Sequence, residues 1–284
     1  QALFAYHFEG GSRPPVLAAL PPYQSGDGGF GRALEPDMRA EASSVVATTV
    51  ALDILRRVGA TEETSGLPAA LVYLMDNYDV ETGRWPIISP AVEDAPHAPW
   101  WEYAESATNF RDFWANPRAS VVGYLWQYRK LVPSPFVEGA LRSAVTELLT
   151  YSQTMEMHDL LCYVDLLATE DLPGEMRENM IDKLRRVVAR SVVMDPAEWN
   201  GYNLKPLTVV HSPQSELAAA VPPAILDANL DYLIDAQAPD GTWPPNWSWE
   251  FVAADAWAAA EREWRGVLTL RNLATLRAFG RIEE

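Results

Sequence analysis

The chain has 284 residues, of which 48% are hydrophobic, so it can bury a large core. Its formal net charge of −17 argues against binding to nucleic acid or to an acidic membrane surface. The apolar stretches are interrupted by charge and are too short to span a bilayer, so no integral membrane segment is expected. No linker is visible, and we predict a single domain over 1–284. The one cysteine, Cys162, excludes an intrachain disulfide and favours a cytoplasmic location.

Helical signals dominate the chain. The first clear helix is predicted over Glu35–Val58, with two arginines in its last turn and Gly59 as its stop signal. The next covers 66–77. Asn116, followed by a proline, is typical of an N-cap, so a helix should run from there to about Leu131. Further helical patterns cover 135–152, 156–170, 174–193, 216–236 and 250–279.

Strand signals are scarce, and the one short exception is 207–210. The sequence therefore predicts an all-α fold with about nine or ten long helices. Two connections, 86–116 and 195–215, are long for a helical domain, and such loops often carry function. Eight of the eleven tryptophans lie in loops or at helix boundaries: Trp85, Trp100, Trp101, Trp114, Trp199, Trp243, Trp247 and Trp249. These rings could line a ligand cavity or close the ends of a helical barrel.

A short motif recurs along the chain. The heptapeptides QSGDGGF (24–30) and QAPDGTW (237–243) match position for position, and a degenerate copy lies at 78–85 with Tyr78 in place of glutamine. Each copy follows a helix with an Asp-Gly type turn that requires positive φ and then an aromatic ring. We expect Gln24 and Gln237 to hydrogen-bond backbone groups near an adjacent helix end, with the aromatic residues packed as plugs. Such units stack on one another, because one alone cannot bury its apolar face.

These segments resemble the squalene-cyclase and protein-prenyltransferase superfamily, in which recurring Gln-x-x-Asp-Gly-x-Trp segments link the helices of an α/α toroid. The resemblance implies a ring of helical hairpins, incomplete relative to six hairpins, around a cavity for an apolar isoprenoid-type small molecule. The chain departs from the family's catalytic patterns, since it contains neither Asp-x-Asp-Asp nor Asp-Asp-x-x-Asp. We expect no cofactor and no metal.

The first candidate site lies in the loop 86–116. Glu93 or Asp94, paired with His97, could supply a carboxylic acid that starts a cyclisation by protonation. Neighbouring rings could stabilise the resulting cation: Trp100, Trp101 and Tyr103. The alternative is an ordered surface loop in which His97 caps a carbonyl.

The second candidate site lies on the helix predicted over 156–170. His158, Cys162 and Asp165 share one helical face but spread over about 10 Å, too far for one tetrahedral ion. We instead expect His158, Asp159 and Asp165 to face the cavity as polar or catalytic groups. The third candidate is the loop 195–215, which could act as a lid or be an Ω-type loop packed on itself. The remaining expected cavity residues are Trp114, Tyr163, Trp199, Tyr202, His211 and Trp247.

Three functions remain open. The first is a terpene-cyclase-like enzyme in which the two long loops meet over one end of the ring and His97 faces the cavity. The second is an (α/α)-barrel carbohydrate-active hydrolase or lyase, with paired carboxylates among exposed tryptophans. The third is a non-catalytic hydrophobic-ligand-binding domain, favoured if the carboxylates pair with arginines such as Arg111 and Arg118. The oligomeric state cannot be inferred from the sequence.

Overall fold

The computed structural model describes residues 1–152 and 154–282, so positions 153, 283 and 284 of the predicted domain lie outside the described residues. The described part contains twelve α-helices: α1 (Ala2–Phe8), α2 (Arg13–Ala19), α3 (Val45–Arg57), α4 (Leu67–Asp76), α5 (Ser106–Asn109), α6 (Arg118–Gln127), α7 (Ser134–Thr150), α8 (Met157–Leu167), α9 (Gly174–Ser191), α10 (Pro206–Val209), α11 (Pro223–Asp235) and α12 (Ala254–Ala278). Within these residues β pairing is limited to isolated bridges, which confirms the predicted all-α class.

The prediction of a helix from Glu35 is wrong, because α3 begins ten residues later, at Val45. The Ser44 hydroxyl caps this helix by accepting the Ala47 N–H at 3.0 Å. Upstream, the segment 37–39 is extended against 96–98. Ala98 N–H donates to the Asp37 carbonyl at 2.9 Å. These backbone groups are therefore used across chain segments and are not available to a helix.

Two further boundaries differ from the sequence prediction. The expected strand at 207–210 is wrong: Pro206–Val209 forms the one-turn helix α10. The helix expected over 216–236 begins only at Pro223, after a separate 3₁₀ turn at Ala218–Ala220, because consecutive prolines at 222 and 223 interrupt the pattern. The Asn116 side chain is not the cap of α6, whose N-cap is Pro117.

Helices α3, α6 and α8 pack side by side, with α6 in the middle. Helices α6 and α8 run in the same direction, since Asn116 lies level with Asp159 and Ser120 with Asp165. The last turn of α3 lies at their C-terminal ends, where Arg56 contacts Asp165 and the Tyr124 ring. Gly123 allows the close approach of α6 and α8, because a Cβ there would lie 2.9 Å from the Thr169 hydroxyl oxygen. Around them, α4 packs on α3, α7 on α6, and α9 on both α7 and α8. The main core is shared by these helices and extends from Leu20 to Leu276.

The two well-matched repeat turns have the same hydrogen bonds. Gln24 Nε2 donates to the Gly28 carbonyl and Gln237 Nε2 to the Gly241 carbonyl, each at 2.9 Å. Gly28 and Gly241 have φ of +89° and +83°, the conformation expected for the Asp-Gly turns. Gln24 also donates to the carbonyl of Gly66, the N-cap of α4, at 2.8 Å. The predicted bond to an adjacent helix end is therefore confirmed for Gln24 and wrong for Gln237.

The aromatic residue that ends each copy is buried, as predicted for Phe30 and Trp243. The two tryptophan copies cap the preceding helix in the same way. Trp243 Nε1 donates to the Leu233 carbonyl in the last turn of α11, at 2.8 Å. Trp85 Nε1 donates to the Leu74 carbonyl in the last turn of α4, at 2.5 Å. Each indole therefore satisfies a carbonyl that has no partner within its own helix.

None of the described helices combines the length and the apolar character that crossing a bilayer would require.

Candidate functional site

A buried acidic pair, Glu35 and Asp37, lies in the turn 35–38 that precedes α3, and the two residues are only 6% and 3% exposed. Asp37 accepts hydrogen bonds from the indole N–H groups of Trp249 at 2.7 Å and Trp247 at 3.2 Å. Burial raises the pKa of Asp37, and these indole N–H groups oppose the rise. The indole of Trp264 also lowers the Asp37 pKa, although its N–H lies outside hydrogen-bond geometry.

Glu35 has much less compensation. Its Oε2 atom is buried and makes no hydrogen bond within the described structure. Burial, followed by repulsion from Asp37, raises the Glu35 pKa well above its usual value. Asp37 therefore has donors that stabilise its anion, whereas burial and the nearby Asp37 favour the protonated form of Glu35.

A hydrogen-bonded chain of three side chains lies close to this pair. Glu156 Oε1 lies 2.8 Å from His158 Nδ1, and His158 Nε2 lies 3.1 Å from the Tyr202 hydroxyl. The Tyr202 side chain is 58% exposed, yet the surrounding protein and then the charges of Glu156, Asp37 and Glu35 raise its pKa to about 12. The Tyr202 ring lies 5.8 Å from that of Trp247, whose indole N–H donates to Asp37, so this contact connects the chain to the acidic pair.

Aromatic rings continue from this chain in both directions. We call the series the aromatic arc: Trp101, Phe110, Phe113, His158, Tyr202, Trp247 and Trp264. Successive ring centroids are 5.8, 5.7, 5.6, 6.2, 5.8 and 5.1 Å apart. These separations are typical of contacting aromatic pairs. The arc joins residues of both predicted long loops to α8 and α12, and the two loops converge on His158.

The first candidate loop forms a compact group of its own. His97 Nδ1 lies 2.9 Å from the Ala95 carbonyl, and Nε2 faces two carboxylates, Glu102 at 3.5 Å and Glu93 at 3.9 Å. Glu93 Oε1 accepts the Tyr103 N–H at 2.6 Å. His97 is the bridge partner of Met38, so this group is attached directly to the segment that carries Glu35 and Asp37.

The other residues predicted from this loop differ in exposure. Asp94 is exposed at the end of the 3₁₀ turn Pro90–Asp94. Trp100 and Tyr103 are 36% and 41% exposed. Trp101 is half-buried and packs between two apolar clusters. Trp114, 49% exposed, lies beneath the guanidinium of Arg84 at 5.3 Å.

Asp159 anchors the end of the first loop to α8. Its carboxylate accepts the backbone N–H groups of Trp114, Ala115 and Asn116, each at 2.8 Å. These three bonds occupy the carboxylate and lower its pKa against the effect of burial. The geometry gives Asp159 a structural role in positioning the loop beside His158.

Two residues near these candidates, Trp199 and Tyr163, are buried in the core, and Cys162 packs against it. Trp199 is 1% exposed and donates to the Val193 carbonyl at 2.8 Å. Tyr163 is buried, and its hydroxyl donates to the Ala144 carbonyl at 3.2 Å. Burial raises the pKa of the Cys162 thiol, so the thiol stays protonated.

Asp165 belongs to a charged group at the opposite ends of α3 and α8. Its carboxylate accepts the Ser120 hydroxyl at 2.9 Å and lies 3.5 Å from Arg56, which also pairs with Asp53 at 3.2 Å. His211 lies nearby and is exposed, yet the surrounding protein, Arg271 and Arg57 lower its pKa to about 4. Asp165 is likewise 42% exposed. With this lowered pKa, His211 is neutral at pH 7.

No family model matches the chain, and neither a curated protein nor a solved structure is significantly similar to it.

Sequence reasoning missed several residues of the site, among them Glu35, Asp37, Glu156 and Trp264. Glu35 and Asp37 were placed in the first turn of the helix predicted over Glu35–Val58. The run Glu35-Pro-Asp37 was a signal against a helix start at Glu35, because a proline disfavours the α conformation of the residue before it. The partners of Asp37 are about 210 residues away, and no local pattern indicates them.

Proposed function

We propose that the chain is a terpene-cyclase-like enzyme that protonates an apolar isoprenoid-type substrate, with Glu35 as the acid. The observation that carries this proposal is the buried Glu35 carboxyl, whose pKa is raised well above its usual value and whose Oε2 has no hydrogen-bond partner in the described structure. A reaction that starts by protonation requires a carboxylic acid that stays neutral near pH 7.

The other groups have the chemistry that such a reaction needs. The Glu35 proton passes to an alkene carbon, leaving a carboxylate on the enzyme and a carbocation on the substrate. The ring faces of the aromatic arc stabilise that cation by cation–π attraction, which is strongest for tryptophan. Loss of a proton to the Tyr202, His158 and Glu156 chain ends the reaction, and solvent returns the proton to Glu35. Asp37, held as an anion by tryptophan N–H groups, keeps the proton on Glu35.

The fold proposed for this enzyme is the α/α toroid. Support comes from the matched hydrogen bonds of the two repeat turns and from the parallel α3, α6 and α8 with α4, α7 and α9 packed around them. In this proposal the three parallel helices belong to the inner ring. The loops that converge on His158 then cover the end of the ring that carries the acid.

A second candidate is a carbohydrate-active hydrolase or lyase. The closest carboxylate oxygens of Glu93 and Glu102 lie within 4.8 Å, and Trp100 and Tyr103 are exposed beside them. Paired carboxylates flanked by aromatic faces are typical of glycoside hydrolysis. The binding-domain alternative receives less support, because Arg111 and Arg118 pair with Asp112 and Glu147 and not with the candidate acids.

The test is incubation of the purified chain with farnesyl diphosphate, geranylgeranyl diphosphate, squalene and a panel of oligosaccharides, followed by mass spectrometry. We expect a cyclised isoprenoid product. The variant Glu35→Gln should lower the rate by about 10²–10⁴-fold, the contribution of a general acid. Because the amide has nearly the same size and shape as a protonated carboxyl, the substitution should preserve folding.

The matched control is Glu105→Gln, which makes the same substitution at an exposed position of the neighbouring loop and should leave the rate unchanged. Product from oligosaccharides alone would support the second candidate. An isoprenoid product formed equally fast by Glu35→Gln would exclude Glu35 as the acid.

A further inference from the structure

Glu93, His97 and Glu102 place three ligand atoms together at the surface of the first long loop. One oxygen from each glutamate and the Nε2 atom of His97 all lie within 4.8 Å of one another. Imidazole nitrogen with carboxylate oxygen is a ligand set that zinc accepts. From this geometry we infer a divalent cation site, selective for Zn²⁺, at Glu93, His97 and Glu102.

The distances between the ligand atoms fit a metal better than they fit hydrogen bonds. His97 Nε2 lies 3.5 Å from Glu102 and 3.9 Å from Glu93, and neither contact is a hydrogen bond. A tetrahedral ion with Zn–N and Zn–O bonds of about 2.0–2.1 Å separates its ligands by about 3.3 Å. An octahedral Mg²⁺ with bonds of similar length requires about 2.9 Å. The site is therefore closer to tetrahedral spacing.

Two of the three ligands, His97 and Glu93, are held in place by backbone partners at the ring nitrogen or oxygen that does not face the ion. His97 Nδ1 lies 2.9 Å from the Ala95 carbonyl, which selects the tautomer that leaves the Nε2 lone pair free. The Tyr103 N–H holds Glu93 Oε1 at 2.6 Å and leaves Oε2 facing the histidine. Backbone and carbonyl partners of this kind orient ligands in metal sites.

The exposure of the three residues also fits a cation site. His97 is 11% exposed and held in place, while Glu93 and Glu102 are 40% and 44% exposed and can close on an ion. Three protein ligands leave one tetrahedral position open to water. The bound ion would link the loop to the extended segment that precedes α3, because His97 is the bridge partner of Met38.

The experiment measures Zn²⁺ binding by the full chain after dialysis against a chelator, using isothermal titration calorimetry, and then Co²⁺ binding by visible absorption. We expect one equivalent of Zn²⁺ and a Co²⁺ spectrum typical of four-coordinate geometry. His97→Ala and Glu102→Gln should each weaken binding by about 100-fold, at or above the effect of losing an outer-shell partner. Glu105→Gln, an exposed glutamate three residues away, should bind as the parent does.

Circular dichroism of each variant shows whether it is folded. If His97→Ala does not fold, Glu102→Gln still tests the site. The site is excluded if the parent binds no stoichiometric Zn²⁺, or if both ligand variants bind within tenfold of the parent. Because the readout is binding and not turnover, its failure would leave the proposed function standing, and the reverse also holds.

Discussion

Acidic residues have different surroundings at the two ends of the parallel helices α3, α6 and α8. At the end beside the start of α8, Glu35 is buried near Asp37 and faces no basic side chain in hydrogen-bond contact. At the other end, Asp165 lies beside Arg56 and accepts a hydroxyl bond from Ser120. Burial raises the pKa of both carboxyls, that of Glu35 well above its usual value.

This difference shows that the neighbours of a buried carboxyl decide its chemistry. Each carboxyl has a second one nearby that raises its pKa, Asp37 for Glu35 and Asp53 for Asp165, but at the Asp165 end Arg56 and the Ser120 hydroxyl oppose the rise. The Glu35 end is therefore suited to donating a proton. The Asp165 end is a charged network suited to holding neighbouring helices in register.

The largest expected effect tests the compensation at the Asp165 end. Arg56→Gln removes the cation that contacts Asp53 and Asp165 and covers the ring of Tyr124 at 4.8 Å. Breaking a fully buried pair costs about 3–5 kcal/mol. Because Asp165 is 42% exposed, we expect a smaller loss, about 2 kcal/mol, in the free energy of unfolding measured with urea.

Arg111→Gln is the matched control for that measurement. Arg111 pairs with Asp112 at 3.7 Å, and the two side chains are 74% and 80% exposed. We expect its loss to have almost no effect, as for most surface ion pairs. Equal destabilisation by both variants would show that the Arg56 contacts contribute no more to the free energy of unfolding than an exposed ion pair does.

The next prediction concerns the pH dependence of stability at the Glu35 end. The folded-state pKa of Glu35 lies above its usual 4.5, so the folded protein keeps a proton that the unfolded chain loses as pH rises past that value. Stability therefore falls with rising pH until Glu35 ionises in the folded state. In Glu35→Gln this fall is absent. The variant should therefore gain stability relative to the parent as pH rises, measured by urea unfolding from pH 4.5 to 8.

His211→Gln tests the opposite pH dependence of stability, at the Asp165 end of the helices. The pKa of His211 is lowered from 6.5 to about 4, so the unfolded chain takes up a proton between these values before the folded protein does. The parent should lose stability as pH falls through this window, and the variant should lose less. If the advantage of both variants over the parent grew in the same direction of pH, the contrast between the two ends would be wrong.

The smallest effects are expected at the repeat turns. Gln24 bonds two carbonyls, including that of Gly66 at the start of α4, while Gln237 bonds only its own exposed turn in the described structure. Gln24→Ala should lower the free energy of unfolding by about 1–2 kcal/mol and Gln237→Ala by about 0.5 kcal/mol or less. Thermal melts followed by circular dichroism can compare them. A larger loss at Gln237 would contradict this ranking.

Sequence periodicity was enough to predict most of the long helices, because local propensity and amphipathic patterning determine them. The starts of α3 and α11 were missed for physical reasons. In the first case, extended pairing between 37–39 and 96–98 overrides the helical pattern. In the second, Pro222 and Pro223 divide one apolar pattern into two elements.

The candidate site was predictable only in part. His97, His158, Tyr202 and Trp247 were named because rare ionisable and aromatic residues stand out in loops and at helix starts. Glu35 could not be identified as an acid, because its pKa depends on burial and on the charge of Asp37. Trp264 was missed since it lies within the long helix α12, where an aromatic residue has no distinguishing local pattern.

The aromatic arc begins at Trp101 and ends at Trp264, so a ligand lying along it would connect the first long loop, α8, the second loop and α12. Binding to a surface that exists only in the folded chain adds to the free energy of unfolding. At a ligand concentration of 100 times Kd the gain is about 2.7 kcal/mol. The melting temperature can therefore identify the ligand of the arc without any turnover, by ranking isoprenoids against oligosaccharides on the parent chain and on the Glu35→Gln variant alike.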